Sequence, residues 1–216
     1  MNRIVSRTLM GTIVIGAVLV FALAATGCKE DKSASREPST KSEPFDRARE
    51  AQAKGDYDNA IAHYGDVIRQ DPENAPAYYN RSLAYLAAGD FEKAIADLSD
   101  VIRINPRDVA AYNNLAWLRA TCPDARYRDG EQALENARKA CGLTNWKAAG
   151  CLDTLAAAYA QAGDFEQARR WQANAIDLVA VEKDKAELRA RLEFYQRNEP
   201  YREQPKLKSE PKPKQR

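Results

Sequence analysis

The sequence predicts an all-α chain built as an array of stacked helix-turn-helix repeats and closed by a C-terminal capping helix. Three observations carry this. A Gly-Asp pair followed by an aromatic recurs at Gly55-Asp56-Tyr57, Gly89-Asp90-Phe91 and Gly163-Asp164-Phe165. An alanine stands five positions after each of those glycines, at Ala60, Ala94 and Ala168, and the first two alanines are 34 residues apart. Asp71-Pro72 and Asn105-Pro106 then stop the helices that follow the first two turns. Each residue type has a mechanical reason to be there. Glycine accepts the backbone angles of a helix C-terminus, aspartate caps the next helix, and the proline ring clashes with a preceding helical turn.

The clearest unit runs from Ala75 to Asp108. Ala84, Tyr85 and Ala88 fall at helical spacing before the Gly89-Asp90 turn, and Ala94, Leu98, Val101 and Ile102 do so after it. One such hairpin cannot bury its own apolar face, so it needs neighbours of the same kind. The period, the Gly-Asp-aromatic turn, the small residue and the proline together resemble the tetratricopeptide repeat over roughly 45–180. The resemblance implies a right-handed superhelical array in which the first helices of successive repeats line a concave groove. It implies no particular activity, because the scaffold carries many unrelated roles.

In order, the first repeat is expected at about 45–74. Its second helix carries the apolar stripe Ala60, Ile61, Tyr64, Val67 and Ile68, while its first is polar, as suits a terminal cap. The second repeat, 75–108, departs from the commonest family residues at Arg81 and Ser82. In the third, 109–148, Ala133 takes the small-residue place 39 residues after Ala94, and Pro123 and Gly130 mark a longer inter-helix loop over Cys122 to Gly130. From there the wording LAWLRATCPDARYRDG, LDTLAAAYAQAGDFEQARRWQ, LRARLEFY and PYRE resembles a recurrent bacterial repeat type. The fourth repeat is expected at 149–180 and a last helix at 182–197, where Val181, Leu188, Leu192 and Tyr195 form a stripe suited to covering the end of the array. The repeat body thus spans 45–198, and the Pro- and Lys-rich stretch 199–216 predicts a disordered, modestly basic tail.

Ahead of the repeats, residues 1–27 read as a secretory signal. Arg3 and Arg7 form a positive start and Leu9 to Leu23 an uncharged apolar run. The run ends in Ala-Ala-Thr-Gly-Cys, Ala24 to Cys28, which resembles the bacterial lipoprotein signal; Ala25 stands where leucine is commoner in that motif. The resemblance implies lipidation of Cys28 and a lipid-anchored, periplasm-facing protein of the cell envelope. With Lys29 after the cysteine, it favours the outer membrane in a Gram-negative host. An uncleaved membrane anchor and plain cleaved secretion are the alternatives, and all three put the body outside the cytoplasm. Residues 28–44 hold the lipidation cysteine and a charged, Ser/Pro-rich stretch that reads as a flexible tether.

Composition narrows the function. The chain of 216 residues has a net charge of +2, so its mixed-charge body offers no electrostatic case for nucleic acid. His63 is the single histidine and has no nucleophile or carboxylate in evident reach, so the expectation is no enzyme, no metal and no cofactor. Of the three remaining cysteines, Cys122 should lie at the far end of its hairpin from Cys141. Cys141 and Cys151 could meet, either as a disulfide or as small buried hydrophobes. Trp146 and Trp171 read as packing residues.

The family register puts Tyr79, Asn80, Asn113, Asn114 and Trp117 along the groove, with Arg49 and Asp153 extending the same face into the first and fourth repeats. Asn80 and Asn114 are 34 residues apart, and their amides can both donate to and accept from an extended peptide backbone. The alternative is a solvated face without a ligand. The family's basic clamp for C-terminal carboxylates is not evident, since Ala110 and Asn114 stand where its basic residues are expected. The function expected is a membrane-anchored scaffold that binds a protein or extended peptide through its concave face. Its alternatives are a structural subunit of an envelope assembly that uses repeat edges, and an accessory domain to an envelope enzyme or glycan.

Overall fold

The computed structural model describes residues 43–204; the expectations placed on 1–42, lipidation of Cys28 among them, and on 205–216 lie outside the described residues. Among the described residues are four helix pairs and a closing helix: α1 (Glu43–Ala53) with α2 (Tyr57–Gln70), α3 (Ala75–Ala88) with α4 (Phe91–Ile104), α5 (Val109–Thr121) with α6 (Gly130–Leu143), α7 (Ala149–Gln161) with α8 (Phe165–Leu178), then α9 (Glu182–Gln196). A short 3-10 turn, Ala125–Tyr127, lies in the long loop between α5 and α6.

The punctuation works as its chemistry requires. Asp56, Asn74, Asp90, Asp108, Asp129 and Asp164 each precede a helix, and each side chain accepts a hydrogen bond from a backbone N–H of the first turn. Gly55, Gly89 and Gly163 hold φ of 75°, 81° and 87°, a left-handed conformation that costs a residue with a Cβ.

The alanines that mark the repeat, Ala60, Ala94, Ala133 and Ala168, are all fully buried. Their methyl groups are wholly covered, so the sequence marker coincides with a packing position. The two departures in α3 also have local reasons. Arg81 donates through Nε and a terminal nitrogen to both carboxylate oxygens of buried Asp97, at 2.8 and 2.7 Å, which ties α3 to α4. Tyr78 and Tyr85 lie against its guanidinium at 5.4 and 5.8 Å. Ser82, fully buried, satisfies its hydroxyl by donating to the Tyr79 carbonyl at 2.6 Å. In α1 only Ala48 is buried; Phe45 meets Tyr64 edge-on at 5.5 Å, and the Tyr64 hydroxyl donates to Gln52. Among the described residues this is a sparse layer, as expected for the first repeat.

Gly130 is needed for space. A Cβ there would lie 3.0 Å from both the N and the Cα of Ala162, so the start of α6 rests on the backbone at the end of α7. Gly130→Val should therefore destabilise the fold by about 1–3 kcal/mol. Gly142→Ala, in open space on the same helix, should be neutral or stabilising by up to ~1 kcal/mol. Thermal melts of the two variants check the pair.

Candidate partner-binding face

Six of the seven residues assigned to the face lie on α3, α5 and α7, the first helices of repeats two to four, and the structure sorts them into two groups. The first joins α3 to α5. Asn114 Nδ2 donates to the Tyr79 hydroxyl at 3.1 Å, linking adjacent repeats, and burial pushes the Tyr79 phenol above its ordinary range. Asn80, on the next position of α3, donates to its own helix at the Pro76 carbonyl, 2.7 Å away. Asn113 has its amide oxygen buried without a hydrogen-bond partner. Arg49, the seventh residue, is exposed on α1.

The second group is Trp117 on α5 and Asp153 on α7, and here the expectation needs correction. Asp153 does not extend an open face: it is 7% exposed, and its Oδ1 accepts from Arg191 Nε and from Gln172 Nε2, both at 2.8 Å. Gln172 also donates to the Leu188 carbonyl at 3.0 Å. The cause is α9, which brings Arg191 onto Asp153 and lays the same guanidinium 5.5 Å from the Trp117 ring. The closing helix therefore covers the first-helix face as well as the end of the array. Tyr195, one turn further along α9, is fully buried; its hydroxyl has no hydrogen-bond partner, and burial pushes that phenol far above its ordinary range.

Residues Glu199 to Glu203 were expected to begin a disordered tail, yet they fold back on α5. The Glu203 N–H donates to the Thr121 carbonyl at 3.0 Å, and the Glu203 carboxylate accepts from Trp117 Nε1 at 2.8 Å. Arg202 donates to the Ala120 carbonyl at 3.1 Å. The Tyr201 ring sits 5.9 Å from Trp117 and 5.7 Å from Phe194. Arg191, Tyr201, Arg202 and Glu203 were missed as site residues. One signal was available: Tyr201 is a large aromatic inside a stretch otherwise rich in Pro and Lys.

Cys141 and Cys151 are free, buried thiols in one apolar cluster with Ala137, Ala140 and Leu155, so the packing alternative describes them and the bridge does not. Burial pushes the Cys141 thiol up to about 12. Trp171 packs against that cluster, whereas Trp146 is 43% exposed and stacks on Trp171 at 5.2 Å from a left-handed backbone, φ 61°. Contrary to expectation, His63 has a carboxylate nearby: its Nδ1 lies 3.8 Å from Asp66, one helical turn on. Among the described residues no group of three or more His, Cys, Asp or Glu is placed to hold a metal.

Removing Arg191 would leave the Asp153 carboxylate buried without its charge partner. Arg191→Ala should cost about 3 kcal/mol, and pairing Arg191→Met with Asp153→Asn should restore much of it; denaturant unfolding of the variants measures both. The buried thiols should resist alkylation at pH 9 in the native protein and react fully once it is unfolded, because only the thiolate is nucleophilic.

A tetratricopeptide-repeat family model matches residues 45–109 and 83–121. Among solved structures, a tetratricopeptide repeat protein from Parabacteroides merdae is 18% identical with a TM-score of 0.65, covering 76% of this chain and 61% of that one. A MamA fragment from Desulfovibrio magneticus is 16% identical with a TM-score of 0.59, covering 74% of this chain and 97% of that one. PilW, described as a widely conserved type IV pilus biogenesis factor, is 19% identical with a TM-score of 0.55, covering 74% and 76%. No curated protein matches the sequence. Stacked repeats of this kind offer extended surfaces to other chains, so the fold suggests a protein-interaction or scaffold role. Residues 43–204 thus form an all-α array of helix pairs that shares the fold of solved tetratricopeptide-repeat structures, with the family model itself matching over 45–121.

Proposed function

We propose that this protein is a membrane-tethered scaffold of the cell envelope that holds an extended segment of a partner protein on its first-helix face. The observation that carries the binding reading is the α3–α5 group. Asn80 and Asn114 stand at the same register on successive first helices, with Tyr79 and Asn114 bonded across the repeat boundary. An extended chain laid along that face would meet amide groups at the repeat spacing, able to pair with its backbone N–H and C=O groups. The Arg3, Arg7, Leu9–Leu23 and Ala24–Cys28 pattern supports export and lipidation, with Cys28 as the anchor and Lys29 favouring the outer membrane in a Gram-negative host. Several acyl chains would hold it stably, since one alone anchors marginally.

A second reading, a structural subunit of an envelope assembly, is favoured by the three exposed large hydrophobics among the described residues. Trp146 lies in the connection from α6 to α7, and Leu178 and Val181 lie at the connection from α8 to α9.

Crosslinking pull-down from membranes separates the two. The partner captured by the intact chain should be lost from a folded Asn80→Ala, Asn114→Ala variant and kept by Trp146→Ser, Leu178→Ser; the reverse pattern would establish edge assembly. In the same cells labelled fatty acid should be incorporated into the intact protein and not into Cys28→Ser. An intact protein that takes up no label would point to an uncleaved anchor or plain secretion.

A further inference from the structure

The end of α5 shows a complete allocation of acceptors. An α-helix leaves its last four carbonyls without partners of its own. In α5 these belong to Leu118, Arg119, Ala120 and Thr121. The first accepts from the Cys122 N–H and the second from the Asp129 N–H, both supplied by the long loop. The third and fourth accept from the Arg202 guanidinium and the Glu203 N–H, both supplied by the C-terminal strap, Glu199 to Glu203. Without the strap, two carbonyls at the negative end of a helix dipole would face outward beside the Trp117 indole.

We propose that this end of the first-helix face is a recognition site for an extended aromatic–arginine–glutamate segment of a partner protein, occupied in this chain by its own Tyr201, Arg202 and Glu203. The three side chains read three different features. The Tyr201 ring fits between Trp117 and Phe194, with the Arg191 guanidinium 5.7 Å from its centre. Arg202 meets the Ala120 carbonyl, where a cation is favoured by the helix end. Glu203 takes the indole N–H with its carboxylate while its backbone N–H docks on Thr121. Main-chain pairing combined with alternate side-chain contacts is a general mode by which folded domains hold extended peptides.

The strap is also built to leave. Glu203 is exposed, and Tyr201 and Arg202 are only half-buried, so its bonds sit within reach of water. Burial and the neighbouring Arg128 charge both work against the Arg202 cation, which lowers its proton affinity and opposes docking. A tethered occupant competes at high effective concentration, so a free segment of the same chemistry binds weakly until the strap is released.

This assignment rests on the first-helix face being the binding surface, and its test is independent of the membrane partner. The probe is a dye-labelled peptide with the sequence of residues 199–204, Glu-Pro-Tyr-Arg-Glu-Gln, titrated by fluorescence anisotropy into the full chain and into a full-length Tyr201→Ala, Arg202→Ala, Glu203→Ala variant. The variant should bind the peptide at least ten-fold more tightly than the unmodified chain, and a scrambled peptide should bind neither. Equal affinities for the two chains, no binding to a variant that keeps its helical circular dichroism, or equal binding of the scrambled peptide would each overturn the assignment. Should the triple variant unfold, Glu203→Gln alone removes only the carboxylate charge facing Trp117 and should still raise peptide affinity about three-fold; an unchanged affinity overturns the proposal. A negative peptide result with partner capture still lost on substitution of Asn80 and Asn114 would remove the strap site and leave the face itself standing.

Discussion

One buried carboxylate ties the C-terminal half of this array together. Asp153 would be an awkward residue on a first helix if it faced only apolar neighbours, because an ionised carboxylate is costly to bury unpaired. Arg191 and Gln172 resolve this from two different helices, and in doing so they fix where α9 must lie. Once Arg191 is committed to Asp153, its guanidinium also flanks Trp117 and Tyr201, and the strap has a surface to dock on. The closing helix is thus positioned by a polar constraint. Its apolar burial is slight, with only Leu188 and Tyr195 buried along its length.

That dependence explains what could be read from the residues and what could not. Helix ends were legible because their causes are local: a Gly with positive φ, an Asp that caps three positions on, a Pro that cannot continue. The buried alanines were legible because a fixed close approach between paired helices repeats with the period. The register of Tyr79 and Asn114 followed from the same period and brings them into contact. The path of α9 had no such local cause. Arg191 finds Asp153 across 38 positions and Trp117 finds Glu203 across 86, and nothing within a helical turn of either residue signals the match. Residue chemistry also left Cys141 and Cys151 open between two states, since a thiol is both a bridge former and a small hydrophobe; their packing among alanines decided it.

The face that results is uneven. Toward α3 it presents amides and a phenol, with Asn80 and Asn114 in repeat register. Toward α7 it is covered by charge and aromatic surface from the chain's own C-terminal region. A partner segment lying along it would meet polar, uniform contacts at one end and a specific, already filled position at the other. Such a division separates the part of a surface that gives grip from the part that gives selectivity.

The strap also alters how this array should acquire its structure. Linear repeat proteins are described as rows of units, each stabilised by its neighbours, so that folding can spread from any point. Here the end of α5 is finished by residues that leave the ribosome more than eighty positions later. Synthesis is directional, so the third repeat must wait with two backbone acceptors unfilled until nearly the whole chain has emerged. Long-range closure of that kind slows folding and makes it more all-or-none. From its third repeat onward the row is in effect a loop, fastened by Arg202 and Glu203.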